Sequence, residues 1–289
     1  MAGGAIRGDR SGVGGGGAVK IRKALITGGS SGLGEEFARQ LAARGTNLVL
    51  AARRRERLEQ VKAEIEAQFG VEVEVVVCDL ADEEQSAALA ARLAGEAELD
   101  LLVNNAGFGT LGLYHETDFA RQEAMLRVHV LATMRLTRAV LPGMIARRAG
   151  AVVNVSSVAG YWRSAQNVMY CSTKGWMNDF TEGLRLELDQ LDSPVVVQAL
   201  CPGFTYSEFH DTLGVDRGNV PKGFWMQADF VVGESLKSLE SGRVVVIPGW
   251  RYRLVARLAE WLPARWRMAL ERRSPHKRRK ARTLTPNLR

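Results

Sequence analysis

Apolar strand-like runs that alternate with helices of ten or more residues predict an α/β fold built on a parallel sheet. The alternation starts near Lys23 and is still present at Ile247. A glycine-rich turn, 28–34 (GGSSGLG), stands at the first strand–helix junction. A later apolar run ends on Ser157, thirteen residues before the Tyr170-x-x-x-Lys174 pair.

Taken in order, the first strand is Lys23–Thr27, followed after the glycines by a helix over 35–43 that ends near Gly45. Asn47–Ala52 (NLVLAA) is the second strand, and 57–69 the second helix, with Leu58, Val61, Ile65 and Phe69 on one face. Strand 72–78, helix 83–93 and strand 99–104 continue the pattern. Residues 122–148 read as one long helix or a pair, with Pro142 as the kink or break. Strand 151–156, helix 168–191, strand 195–201, helix 228–239 and strand 243–247 complete it. Between them, 204–225 carries Gly214, Gly218, Pro221 and Gly223 with weak periodicity, the signature of an irregular lid over the strand ends.

The 289 residues divide into a Gly-rich leader (1–19), a domain over 20–250 that includes the lid, and an amphipathic, basic extension over 251–289. No uncharged apolar run is long enough to span a bilayer, and the leader lacks the apolar segment of a secretory signal. Cys78, Cys171 and Cys201 form no C-x-x-C pair, which speaks against a disulfide framework and for a reducing compartment, read as the cytoplasm. The net charge of +7 is uneven: 265–289 hold ten Lys/Arg and one acid, Glu271, so the rest of the chain sums to −2. Nucleic-acid binding is disfavoured because the domain itself is not basic. The scattered His115, His210 and His276 offer no metal-ligand spacing.

Glycines at a strand–helix junction let a backbone approach a pyrophosphate at a helix N-terminus, where free N–H groups favour anions. The spacing is G-x-x-x-G-x-G, and a plain structural turn is the competing reading. At the end of the second strand an NAD site carries an acid, for the ribose 2′-hydroxyl, and an NADP site an arginine. Here the run is Arg53-Arg54-Arg55, with no acid, so the expected cofactor is NADP(H), with Arg53 as its contact. A solvated charge run is the alternative. Tyr170 and Lys174, four apart, share a helix face. An ammonium beside a phenol favours the phenolate and lowers the tyrosine pKa, which suits general acid/base work on a carbonyl/alcohol pair.

Four stretches then stand in order: TGGSSGLG at 27–34, NNAG at 104–107, Ser157 with Tyr170 and Lys174, and Pro202-Gly203. With these the chain resembles the short-chain dehydrogenase/reductase family over roughly residues 20 to 250. The resemblance implies a three-layer α/β/α doubly wound parallel sheet of about seven strands. It implies Tyr170 as general acid/base, Lys174 on the nicotinamide ribose and Ser157 on the substrate oxygen, with Ser156 serving the loop. Gly28, Ser30, Ser31, Gly32, Leu33 and Gly34 would cradle the pyrophosphate. Asp79 would reach the adenine, and Asn105, Ala106 and Gly107 would line the cleft. Pro202 and Gly203 would pass under the nicotinamide, with Ser207 on the carboxamide. The family's homodimers and homotetramers set the expectation for assembly.

One position departs from the family. Where it has an asparagine in the long helix after NNAG, this chain has His129. Imidazole can join a proton relay or merely fill space beside the site. Tyr161, Trp162, Phe204, Tyr206, Phe209, Phe224 and Trp225 are either core or the walls of an apolar substrate pocket. In the extension, Leu254, Val255, Leu258, Trp261 and Leu262 share a helix face. That face either docks on the domain, the favoured reading, or lies on an anionic membrane as a peripheral contact. The expected function is reduction of an apolar ketone or aldehyde; a nucleotide-binding sensor with little turnover is the alternative.

Overall fold

The structure, a computed structural model, describes residues 21–209 and 220–273. The leader, the middle of the lid, His210, His276 and the final cation run lie outside the described residues.

Seven parallel strands form one sheet in the order β3-β2-β1-β4-β5-β6-β7. They are β1 (Lys23–Thr27), β2 (Asn47–Ala52), β3 (Val73–Val77), β4 (Leu101–Asn104), β5 (Ala151–Val155), β6 (Val196–Leu200) and β7 (Val245–Val246). Helices α1 (Gly32–Ala42), α2 (Arg55–Phe69) and α7 (Ala228–Glu240) cover one face, where Phe37, Leu41, Leu58, Ile65, Val231 and Leu236 are buried. On the other face lie α3 (Glu83–Ala94), α5 (Thr133–Ala146) and α6 (Val168–Gln190), which contribute Leu89, Leu93, Leu136, Val140 and Leu188 to a second core. With both faces covered, the strands read as continuous apolar runs, the pattern of a buried parallel sheet. The chain reverses direction across the sheet between β1 and β4, the switch point at which such folds bind ligands.

Two elements differ from the sequence expectation. Helix α1 starts at Gly32, inside the glycine turn, so the turn itself supplies the free N–H groups of the first helical turn. The long helix over 122–148 is not broken at Pro142, which lies inside α5. Proline removes only one donor there, and the flanking Leu136, Val140 and Met144 are anchored in the core. The irregularity comes earlier: α4 (Phe119–Leu126) passes into a π-helical turn, Arg127–Ala132, before α5.

Beyond β7, α8 (Trp250–Trp261) and α9 (Ala264–Arg273) fold back on the domain. Helix α8 docks through Tyr252, Ala256 and Ala259, not through the apolar face expected to do so. Tyr252 is the anchor. Its hydroxyl donates to Phe224 O (2.7 Å) and accepts from Phe204 N (3.0 Å), and its ring lies against Gly203.

A Cβ at Gly203 would fall 2.0 Å from that ring, whereas one at Gly183, on α6, would meet nothing within 4 Å. Gly203→Ala is therefore expected to cost about 1–3 kcal/mol. Gly183→Ala should stabilise by about 0.5–1 kcal/mol. Urea denaturation of the two variants checks the contrast.

Candidate active site

The site forms at the carboxyl ends of β1, β4, β5 and β6. Gly28 (φ +66°) and Gly32 (φ +58°) adopt conformations closed to most side chains, which sets the turn. A Cβ at Gly34 would lie 2.2 Å from Gly28 O, so only glycine allows α1 to start so close under the loop. The cradle is tied to its neighbour by Thr27, whose hydroxyl accepts from Asn105 N (2.9 Å) and Ala106 N (3.0 Å) and donates to Val103 O (3.2 Å). Asn105 Nδ2 in turn donates to Thr27 O (2.8 Å). A compact glycine turn at a helix N-terminus, set at the switch point, fits the diphosphate of a dinucleotide.

At the end of β2, Arg53 is exposed, and Arg54 reaches Ser30 Oγ (3.3 Å) and Glu208 (3.1 Å). Arg54, and not Arg53, is thus the arginine directed at the glycine turn. Ser207 stands on the segment after β6, where a Cβ on Gly32 would lie 3.3 Å from its own Cβ, so that segment closes over the turn. Asp79 caps its own loop by accepting from Ala81 N (2.9 Å).

The catalytic candidates converge on the ends of β5 and α6. Lys174 is buried, and its Nζ donates to Val155 O (2.7 Å) and lies 5.8 Å from the Tyr170 ring centre. Ser157 is buried, accepts from Ala159 N (3.1 Å) and donates to Pro202 O (3.3 Å), linking the serine loop to the Pro202-Gly203 segment. Ser156 donates to Lys174 O (2.8 Å), which fixes α6 on β5. A buried ladder extends this joint: Asn104 Nδ2 donates to Asn154 Oδ1 (2.8 Å), and Asn154 Nδ2 to Thr181 Oγ1 (2.9 Å).

The electrostatics correct one expectation. The Tyr170 phenol is not lowered towards neutrality in the free protein. Burial pushes it up to about 12, with the Ser157 hydroxyl working in the other direction. Burial also pushes Lys174 down to about 7. Desolvation penalises both charged forms, and a lysine that gives up its proton well below the phenol's range leaves no ammonium to hold the phenolate.

His129 lies in the π-helical turn, fully buried. Its Nε2 accepts from Phe108 N (3.2 Å), which leaves the proton on Nδ1 to be donated to Thr173 Oγ1 (2.9 Å). The Thr173 hydroxyl passes its own hydrogen to Tyr170 O (3.1 Å). Burial and the Lys174 charge hold His129 well below its usual range, so it is neutral. Both nitrogens are occupied by groups that hold the loop and helix in place, which supports the space-filling and positioning reading over a relay. Thr173 is invisible in the sequence because a threonine one residue before a lysine carries no signal of its own.

Of the aromatics, Phe209 meets the Tyr170 ring at 5.7 Å and faces the site. Phe204 and Tyr206 pack on buried Trp225, and Phe224 on Tyr252, so these hold the lid together. Trp162 Nε1 donates to Glu271 (3.1 Å).

The sequence model of the short chain dehydrogenase family matches residues 22–217. The chain belongs to the short-chain dehydrogenase/reductase family, whose members act on CH–OH or carbonyl groups with NAD or NADP. It is 33% identical over 184 residues to a very-long-chain 3-oxoacyl-CoA reductase from Anas platyrhynchos, covering 62% of this chain and 58% of that relative. A solved short-chain dehydrogenase from Sphingobium yanoikuyae, in complex with NADPH, superposes with a TM-score of 0.75 at 31% identity, covering 84% of this chain and 97% of that one. A relative from Burkholderia phymatum, in complex with NAD, gives 0.74 at 25% identity, covering 83% and 93%.

His129→Ala should cost about 2–4 kcal/mol, because it opens a cavity and leaves Phe108 N–H without its acceptor. His129→Asn should leave the pH profile of turnover unchanged between about pH 5 and 8. A profile inflection near the ordinary imidazole value of 6.5, lost in His129→Asn, would return the ring to the relay.

Proposed function

We propose that this chain catalyses reversible hydride transfer between NADP(H) and a carbonyl/alcohol pair, acting in the cell as a reductase of an apolar ketone or aldehyde. The observation that carries this reading is the convergence of Ser157, Tyr170 and Lys174 where β5 and α6 meet, beside the glycine turn. A phenol at about 12 keeps its proton at neutral pH, the state a general acid needs. Ser157 would hold the substrate oxygen while Tyr170 delivers its proton to it, and Lys174 would hold the ribose. When bound, the nicotinamide supplies or accepts the hydride.

The choice of NADP rests on Arg53 and Arg54 at the end of β2, where the strand itself ends on no acid and Glu208 pairs with Arg54 from the segment after β6. Relatives have been solved with NADPH and with NAD, so the preference proposed for this chain rests on these arginines alone. Gly28, Ser30, Ser31, Gly32, Leu33 and Gly34 would take the diphosphate, Asp79 the adenine, and Ser207 the carboxamide. An apolar substrate is favoured by Phe209 over Tyr170 and by the long acyl substrate in the name of the Anas relative. We place the enzyme in the cytoplasm, at a membrane periphery, as a homodimer or homotetramer.

In an assay of NADPH loss over a panel of ketones and aldehydes, Tyr170→Phe should lower turnover about 10²–10⁴-fold and leave NADPH binding intact. No turnover by the wild-type chain on a broad panel, despite tight NADPH binding, would favour the sensor reading, to which His129 in place of asparagine lends its one support. Replacing Arg53 and Arg54 by serine should weaken NADPH binding about tenfold and leave NADH binding little changed.

A further inference from the structure

Helices α8 and α9 lie beyond residue 217, where the family match ends. Helix α8 turns its small residues inward: Ala256 and Ala259 are buried beside Tyr252. Its large apolar residues point the other way. Trp250 is 65% exposed, Leu254 51%, Leu258 52% and Trp261 87%, along a single stripe of the helix. On helix α9, Trp266 and Leu270, four residues apart, share a face and are exposed, and Met268 is exposed as well. A helix held on a soluble core normally shows the opposite arrangement.

The charges are sorted the same way. Residues 250–273 hold seven arginines and two acids. Of the two acids, Glu271 is bonded to the domain, and Glu260, though exposed, borders a cavity against it. Glu260 lines a cavity of about 200 Å³ with Tyr161, Asp179, Glu182 and Arg267. Glu271 accepts from Trp162 Nε1 (3.1 Å), Ser164 Oγ (3.2 Å) and Ala165 N (3.1 Å). The exposed side keeps Arg253, Arg257 and Arg265 among the tryptophans and leucines. In sequence, 274–289 add six more cations and no acid, so residues 250–289 carry +11 and residues 1–249 carry −4.

We propose that the outward face of α8 and α9 docks on the surface of an anionic lipid bilayer. Tryptophan suits the boundary between headgroups and acyl chains, leucine the layer beneath, and arginine the lipid phosphates. A second copy of the chain fits this face poorly. A two-fold contact brings the same patch together from both subunits and would oppose arginine to arginine. Nucleic acid would satisfy the arginines but leave the apolar stripe wet. The face adjoins the candidate active site, because Glu271 clasps α9 to the 158–165 loop between Ser157 and Tyr170. The proposal stands on this surface alone and does not depend on which reaction the site performs.

The test is co-sedimentation of the full chain with vesicles of phosphatidylcholine, with and without phosphatidylserine, at low and high salt. Binding should rise about tenfold with the anionic lipid and fall as salt screens it. The double variant Leu258→Ser, Trp261→Ser should lose about tenfold in partitioning. Both positions are exposed, so thermal unfolding should be unchanged, which separates lost docking from lost folding. Equal binding to neutral and anionic vesicles would overturn the proposal, as would a double variant that partitions like the wild type. A stable dimer in sedimentation velocity that the double variant converts to monomer, with no vesicle binding by either, would assign the face to a second copy and overturn it as well.

Discussion

The site depends on one buried cation. Lys174 Nζ donates to Val155 O (2.7 Å) at the end of β5, in surroundings that push its pKa down to about 7. That contact sets the height and rotation of α6, and with it the position of Tyr170 one turn away. It also fixes what the site can do. A lysine held near neutrality changes its charge in response to small changes around it, and the phenol beside it holds its proton until a charged partner arrives. The ladder through Asn104, Asn154 and Thr181 and the bond from Ser156 to Lys174 O hold this arrangement together on the sheet side.

The fold was legible because its signals are periodic and local. Continuous apolar strands, helix faces of Leu58, Val61 and Ile65, and glycines at a junction state their purpose without reference to distant parts of the chain. The main strands fall within a residue or two of their expected limits, and the sheet has the expected seven strands. The site was legible where its residues belong to motifs: Ser157, Tyr170, Lys174 and the glycine turn do come together. What could not be read was set by long-range packing. The break expected at Pro142 is instead a π-helical turn at Arg127–Ala132, which accommodates an imidazole between the Phe108 N–H and Thr173. The roles of Thr27 and Arg54 follow from loops that meet only in the folded chain. The phenol's pKa departs from expectation because a helix spacing reports proximity to a charge and says nothing of desolvation.

The carboxyl-terminal helices bring a second lesson about amphipathicity. A stripe of Leu254, Leu258 and Trp261 announces a face that must be covered, but sequence alone cannot say by what. In the folded chain Tyr252 and two alanines already occupy the contact with the domain, so the larger residues are left outside. Tyr252 has two tasks. It anchors α8 and supports Gly203, the residue expected beneath the nicotinamide. The proposed surface docking and the proposed cofactor site would thereby be joined through a single aromatic ring.

The most direct test is the titration of Lys174 itself in the ligand-free protein, followed by NMR of isotope-labelled lysine side chains and assigned through Lys174→Met. A desolvated ammonium requires a lysine signal, absent in Lys174→Met, that loses its proton near pH 7. A Lys174 that stays charged up to its usual value of 10.5 would mean that the ammonium is well solvated, and burial would not be the force that sets the protonation of this site.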